Sequence, residues 1–349
     1  MKRMKRLALA LLAACSLGAE GVAAQPIDAA TRQQVVDQLT RALEERYVFP
    51  DVARQVAAAL RGPARRWDAA TDAAEFARVL TDELKALTRD KHLRVSHSET
   101  PVPDARADDR PAQADIDRFR QRATAMNFGI ERVERLPGNV GYLELRSFTS
   151  AEWAGEAIAA AMTLLARTEA LIVDLRRNGG GDPATVALLT SYLLDRRTHL
   201  NDLYFRPTDR TTQFWSHDWV SGARYGGTKP VYVLTSARTF SAAEEFSYNL
   251  KNLKRATLVG ETTGGGAHPG ELRKVGAHFR AFVPTGRAIN PITKTNWEGS
   301  GVEPDVKVDA ADALRVAQLR ALAPLVERAA DAAERRALRE RIAELERKP

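Results

Sequence analysis

The run Leu171-Ile-Val-Asp-Leu175 passes directly into Arg176-Arg-Asn-Gly-Gly-Gly-Asp182, and this junction constrains the fold more than any other stretch. A short apolar run rich in branched side chains reads as a strand buried on both faces. Three consecutive glycines then let the backbone turn its N–H groups toward a ligand at close range. A helix is expected over 183–194. The same arrangement returns downstream, where Val231-Tyr-Val-Leu234 precedes a helix over about 241–250 and Ala256-Thr-Leu-Val259 forms the next strand. Strands and helices alternating at this spacing predict an α/β domain with a parallel sheet covered by helices. Ahead of it, 128–133 and 140–145 read as strands joined at Pro137-Gly-Asn139, and 151–165 as a helix capped by Ser150.

Residues 29–88 read differently. Val35, Leu39, Leu43 and Tyr47 repeat at the spacing of one helix face, which Phe49-Pro50 stops. Helices over 52–60 and 73–87, the second opened by Asp72, complete a small bundle, and Leu93-Arg-Val95 is a short strand. A Pro-, Ala-, Asp- and Arg-rich stretch at 101–113 reads as linker. From Ala310 onward Ala and Leu follow helical spacing, read as a helix packed on its own domain rather than a dimer-forming coiled coil. The expected division is 1–24, 25–98 for the bundle, 99–126 for a linker, 127–308 for the α/β domain and 309–349 for a C-terminal helix.

The N-terminus, Met-Lys-Arg-Met-Lys-Arg followed by Leu7-Ala-Leu-Ala-Leu-Leu-Ala-Ala-Cys15, has the basic and apolar regions of a secretory signal and is too short for a membrane span. Small residues at Val22-Ala23-Ala24 place the mature start near Gln25. Leu12-Ala-Ala-Cys15 also fits a lipobox, with Cys15 acylated. Either route predicts an exported protein, periplasmic or secreted, with a lipid anchor on Cys15 as its one membrane attachment. The net charge of +7 includes four cations and one anion from 1–24; without them +4 remains, and no nucleic-acid partner is expected. Cys15 is the only cysteine, so neither disulfide nor thiol chemistry is expected in the mature domain.

Ser241, in Thr235-Ser-Ala-Arg-Thr-Phe-Ser241-Ala-Ala-Glu-Glu-Phe246, falls between a buried strand and a helix start, at the sheet edge where ligands bind. First-turn N–H groups of that helix can stabilise an oxyanion. Yet Ser241-x-x-Glu244 also spells a helix capping box, as do Thr31-x-x-Gln34 and Asp72-x-x-Glu75, so the local pattern suits a nucleophile and a plain cap alike. A serine needs a base. Of the six histidines, His92 sits where the bundle hands over to a strand. Glu298, in Asn296-Trp-Glu298-Gly-Ser-Gly-Val-Glu-Pro-Asp305, is either a solvated carboxylate or an acid that orients a histidine. Scattered histidines without His-Glu-x-x-His predict no metal. Gly179-x-Gly181-x-x-Ala184 matches a loose dinucleotide fingerprint, but Asp182 would set a negative charge beside the phosphates, and no cofactor is expected.

Taken in order, Asp-Leu-Arg-x-Asn-Gly-Gly-Gly, Thr-x-x-Thr-x-Ser-Ala-Ala-Glu, Val-Gly-Glu-x-Thr and Gly-Val-x-Pro-Asp resemble the tail-specific (C-terminal-processing) serine peptidase family over about 127–308. The bundle, Asp90-Lys-His92-Leu and Leu136-Pro-Gly-Asn-Val-Gly-Tyr142 resemble the branch related to interphotoreceptor retinoid-binding protein and the tricorn core protease. There is no room for a PDZ domain between Val95 and Asn127. Many tail-specific proteases carry a lysine base in the Gly-Glu-x-Thr segment, where this chain has Gly266. The resemblance implies a crotonase-like (ClpP-like) α/β domain after a helical bundle, acting on a peptide or protein by acyl transfer. In the roles it implies, Ser241 is the nucleophile, His92 the base, Glu298 the acid, and the N–H groups of Ala242 and Gly180 hold the oxyanion. Gly179, Gly181, His268 and Glu261 would shape the substrate site. The alternative is a non-catalytic binding protein for apolar ligands or peptides on the same fold.

Overall fold

The computed structural model describes residues 25–63, 65–104 and 113–347; the segment read as an export signal, with Cys15, lies outside them. Helix α1 (Ala29–Arg46) buries Val35, Leu39 and Leu43. Its cap is Asp28, whose carboxylate accepts the Thr31 N–H at 2.7 Å, so Thr31-x-x-Gln34 lies inside the helix rather than at its start. Pro50 opens α2 (Pro50–Arg61) as well as ending the run before it, because a first-turn proline lacks only an N–H that would have no helical partner. Helix α3 (Ala73–Thr88) is capped by Asp72, and Arg89 ends it at φ 60°. Strand β1 (Arg94–His97) follows. The stretch expected as linker carries a helix, α4 (Gln113–Ala125), none of whose residues is buried.

Then come β2 (Ile130–Leu136), β3 (Val140–Leu145), α5 (Ala151–Leu165), β4 (Ala170–Asp174), α6 (Pro183–Ser191), β5 (His199–Phe205), β6 (Arg210–Trp215), β7 (Val231–Thr235), α7 (Ala242–Asn252) and β8 (Thr257–Gly260). Ser150 precedes α5, but its side chain makes no capping bond. The chain continues through β9 (Gly270–Gly276), β10 (Phe279–Pro284), β11 (Gly286–Ile289), β12 (Val306–Lys307), α8 (Ala313–Arg328) and α9 (Ala332–Arg347). The single C-terminal helix expected from the sequence is two, because Asp331 Oδ1 accepts the Glu334 N–H at 2.8 Å and starts a new helix.

The main sheet has the order β12-β8-β7-β4-β3-β2. Its pairs are parallel from β12 to β3, and β2 closes one edge antiparallel. Alternation along the strands divides the core. Leu171 and Val173 face the side of α5, α6 and α7, while Ala170 and Ile172 face α8 and α9. The chain is thus a mixed α/β fold with a largely parallel sheet and N-terminal helices.

Two smaller antiparallel sheets, β1-β10-β9 and β11-β5-β6, lie beside it. In the first, Val95 pairs opposite Ala281, and Val275, Phe279, Ala281 and Val283 share a core with α1, α2 and α3. The bundle is therefore tied to the C-terminal half through β1. That pairing sets the α3–β1 connection, with Asp90 and His92, against the loops around Phe240 and Gly266.

Candidate active site

Ser241 is the N-cap of α7 and has φ 56° and ψ −122°, a region that costs a side-chain-bearing residue about 1–3 kcal/mol and that persists where the surroundings over-determine it. The restraints are visible. The Ser241 N–H donates to Glu244 Oε2 at 2.8 Å, so Glu244 fills the capping role the sequence suggested. The buried Glu244 carboxylate also takes the N–H groups of Gly265 and Gly266 at 2.6 and 2.9 Å and the Thr263 hydroxyl at 2.5 Å. One acid thus pins the loop after β8 to the start of α7. Burial raises its pKa, opposed by these hydrogen bonds.

The glycine loop is held as firmly. Asn178, fully buried, donates to the Leu145 carbonyl at 2.9 Å and accepts the Gly180 N–H at 2.8 Å. The Gly180 N–H is therefore committed, which departs from the oxyanion role expected for it. A side chain at Gly180 would meet Ser241 Cβ at 2.7 Å, and one at Gly181 would meet the Phe148 carbonyl, so the loop packs directly beneath the serine. Phe148 donates to the Gly180 carbonyl and accepts from the Asp182 N–H at 2.7 Å. This bridge pattern turns the N–H of Gly181 away from Phe148.

Ser241, Ala242, Gly179, Gly181 and His92 line one cavity of about 390 Å³. The His92 ring lies between Phe240, at 4.5 Å between centroids, and Phe282, at 5.8 Å. Its Nδ1 is buried without a hydrogen-bond partner. Burial lowers its pKa to about 4, against an upward pull from Asp90, so the imidazole is a neutral base at neutral pH. A Cβ at Gly266 would come within 2.7 Å of His92 Cε1 and collide with Phe240. The histidine and its aromatic neighbour fill the space a side chain at 266 would need.

Glu298 departs from the expected arrangement. Its carboxylate accepts the N–H groups of Ala267 at 2.5 Å and Lys91 at 3.3 Å and lies 3.5 Å from His268 Nδ1. It thus fastens the residue before His92 without bonding to the ring. Burial, then Asp90, raises its pKa. His268 Nδ1 is 2.8 Å from Asp90 Oδ2, and Asp90 also accepts from the Tyr47 hydroxyl at 3.1 Å and the His92 backbone N–H at 3.0 Å. His268 is outside the serine's cavity, although Ala267 and Pro269 on either side line it; with Glu298 it faces a second cavity of about 480 Å³. Glu261 is also elsewhere, accepting the N–H groups of Ala310 at 3.0 Å and Ala237 at 3.2 Å. Asp90, His268 and Glu298 bring three ligand atoms within 4.8 Å of one another, close enough to hold a cation. Each of the three already has a hydrogen-bond partner, however, and the set is a polar network in its own right.

Reading by sequence missed Asp90 as the hub of this network, Asn178 as the clamp and Glu245, which also lines the serine's cavity. Asp90 stands two residues before His92, which was the available signal.

The family model described as peptidase family S41 matches residues 139–308, and the N-terminal domain of that family in eukaryotic IRBP matches 29–125. The chloroplastic carboxyl-terminal-processing peptidase 1 of Arabidopsis thaliana is 26% identical over 184 residues, 53% of this chain. The chain spans about a third, 36%, of that relative. Among solved structures, mature CPAF complexed with lactacystin is similar with a TM-score of 0.54 at 13% identity, over 81% of this chain and 95% of that one. The tricorn protease is similar with a TM-score of 0.50 at 12% identity, over 90% of this chain and 37% of that one. These two likenesses speak for the fold. Two family models in register with the strained serine, the glycine loop and the N-terminal helices place the chain in peptidase family S41, the tail-specific peptidases.

Proposed function

We propose that the chain is a serine peptidase that hydrolyses peptide bonds by acyl transfer on a crotonase-like domain. The observation that carries this reading is the shared cavity. A serine held in a strained turn at a helix N-terminus and a neutral, buried histidine whose Nδ1 has no hydrogen-bond partner line the same cavity. Ser241 Oγ attacks the scissile carbonyl while His92 takes its proton and later passes it to the leaving amine. The Ala242 N–H, in the first turn of α7, is one oxyanion donor. The second is assigned to Gly181 in place of Gly180, because Gly181 lines the cavity and its N–H points away from Phe148.

Glu298 enters as a positioning residue. It holds the backbone at Ala267 and at Lys91, the residue before His92, and so fixes the ring through its loop. The Phe240–Phe282 clamp supplies the orientation that a carboxylate bonded to the ring would otherwise give. Residues 1–24 are read as an export signal on their basic and apolar pattern, a reading that mass spectrometry of the native N-terminus checks: Gln25 or an acylated Cys15 at the start supports it, and an intact Met1 overturns it.

The test of the activity is covalent labelling. A fluorophosphonate should modify wild-type protein at Ser241 and leave Ser241→Ala unmodified, with peptide hydrolysis lost in parallel. A folded wild-type protein that takes no label at Ser241 and cuts no peptide would leave the fold as a binding scaffold.

A further inference from the structure

Helix α7 carries a polar stripe that the peptidase reading does not use. Ser241, Glu245 and Asn249 follow at intervals of four, one above another on the same face. Glu245 and Asn249 are both buried. Side chains on a helix lean toward its N-terminus, which tilts Glu245 back toward the serine, and Glu245 lines the serine's cavity. Leu203, Ala288, Trp297 and Pro183, which line the same cavity, are apolar.

A carboxyl at such a place needs partners, and the fold gives it few. The amides of Asn201, fully buried on β5, and Asn249 face it, yet neither amide nitrogen has a well-aligned acceptor. Among the described residues, none of the charges that shift it is a cation. Asp182, at the N-cap of α6, is the charged neighbour and adds negative charge. The cavity's two basic side chains, His92 and Arg94, belong to the β1 side, where the Arg94 guanidinium lies over Phe282 at 4.8 Å and bonds the His92 carbonyl. Glu244, the preceding residue, shows the contrast, with its carboxylate filled by four donors.

Resting on the peptidase reading, we infer that Glu245 forms the floor of a substrate pocket that takes a cationic side chain, lysine or arginine, of the peptide beside the bond attacked. An apolar sleeve suits the methylene stem of such a side chain, and the acid at its end meets the charged head. A cation is the group that completes the site, since a buried carboxyl with polar neighbours but no counter-charge is costly to keep ionised. Burial pushes the Glu245 carboxyl up to about 8. It is therefore neutral at pH 7 before substrate enters, and an arriving ammonium or guanidinium displaces its proton to water.

Binding to the Ser241→Ala protein tests this without turnover. Calorimetry on Ala-Ala-Ala-Lys and Ala-Ala-Ala-norleucine, both N-acetylated and C-amidated, compares side chains that differ in little but the charged head. The lysine peptide should bind at least about tenfold tighter and release a proton at pH 7. Adding Glu245→Gln should bring the ratio of the two affinities close to one. Equal affinities in the Glu245 protein, or a lysine preference that survives Glu245→Gln, overturn the inference. Should Glu245→Gln fail to fold, a glutamine peptide binding as tightly as the lysine one overturns it instead. Failure of the wild type to cut any peptide or take the fluorophosphonate would sink the peptidase reading and leave this binding comparison readable.

Discussion

Two cavities meet across the segment Gly266-Ala-His268, and their polar groups are treated in opposite ways. Behind the segment, Asp90, His268, Glu298 and Tyr47 satisfy one another and the backbone at 2.5–3.5 Å. On the serine's side, His92 Nδ1 has no partner, and Glu245 faces amides that are poorly aligned to it. The same contrast separates the neighbours Glu244 and Glu245 on one helix. Buried polar groups that are saturated hold a structure together, whereas those left short are costly and persist where a ligand completes them. The composition of the two sites is similar; what separates them is how much of each group's hydrogen-bonding capacity the fold itself consumes.

The sharpest way to break this comparison is to remove the unsatisfied groups. Ser241→Ala should lower peptide turnover by roughly a million-fold, and His92→Ala by a similar order, since members of such a unit are not additive. The pH profile reads the same histidine. With the folded pKa lowered to about 4, the acid limb of kcat/KM should fall near that pH rather than near 6.5. The unfolded chain binds more protons between those values, so the stability contribution of neutral His92 is full above about 6.5 and declines as pH falls toward about 4. An acid limb at 6.5 would show that His92 is not held in a dry site.

Gly266→Ala comes next. Its Cβ must displace the ring of His92 or Phe240, and a misplacement of about 1 Å in catalytic geometry costs about a hundredfold in turnover. Unchanged kcat in this variant would mean that the clamp does not set the position of the base.

Smaller effects belong to the saturated side. Glu298→Gln keeps one carbonyl acceptor for the two N–H groups of Lys91 and Ala267, and should lower kcat by roughly tenfold through a shifted His92 loop. A loss equal to that of His92→Ala would make Glu298 a direct member of the triad. Glu303, exposed and paired with Lys307, is the internal control; Glu303→Gln should change stability by less than about 0.5 kcal/mol and leave turnover at the wild-type level.

Much of this organisation is legible in the sequence, for identifiable reasons. Strands β3, β4 and β7 are buried apolar runs and α3 has its Asp72 cap, so local signals suffice. Strands β5 and β9 are harder to read because His199-Leu-Asn-Asp and Glu271-Leu-Arg-Lys mix charge with apolar residues, as strands with one wet face do. The pairing of His268 with Asp90 spans 178 residues, and no periodicity reports a contact of that range. Nothing in the glycine run marks which N–H is free; Asn178, two residues before Gly180, occupies that of Gly180. Ser241, by contrast, is legible both as a cap and as a nucleophile, and the fold keeps both readings, because it caps α7 with its N–H received by Glu244 and also lines the cavity.

The pairing of β1 with β10 has a consequence for the order in which the cleft is assembled during synthesis. The histidine is translated about 150 residues before the serine, and Phe282, which closes the clamp around the imidazole, comes some 40 residues after the serine. At about 5–20 residues per second, roughly 10–40 s separate the synthesis of His92 from that of Phe282 on a growing chain. Assembly of the β1-β10-β9 sheet is the event that brings His92 into the cavity lined by Ser241. A chain interrupted anywhere before residue 279 therefore lacks the partner strand for β1, and with it the pairing that sets His92 against Phe240 and Phe282.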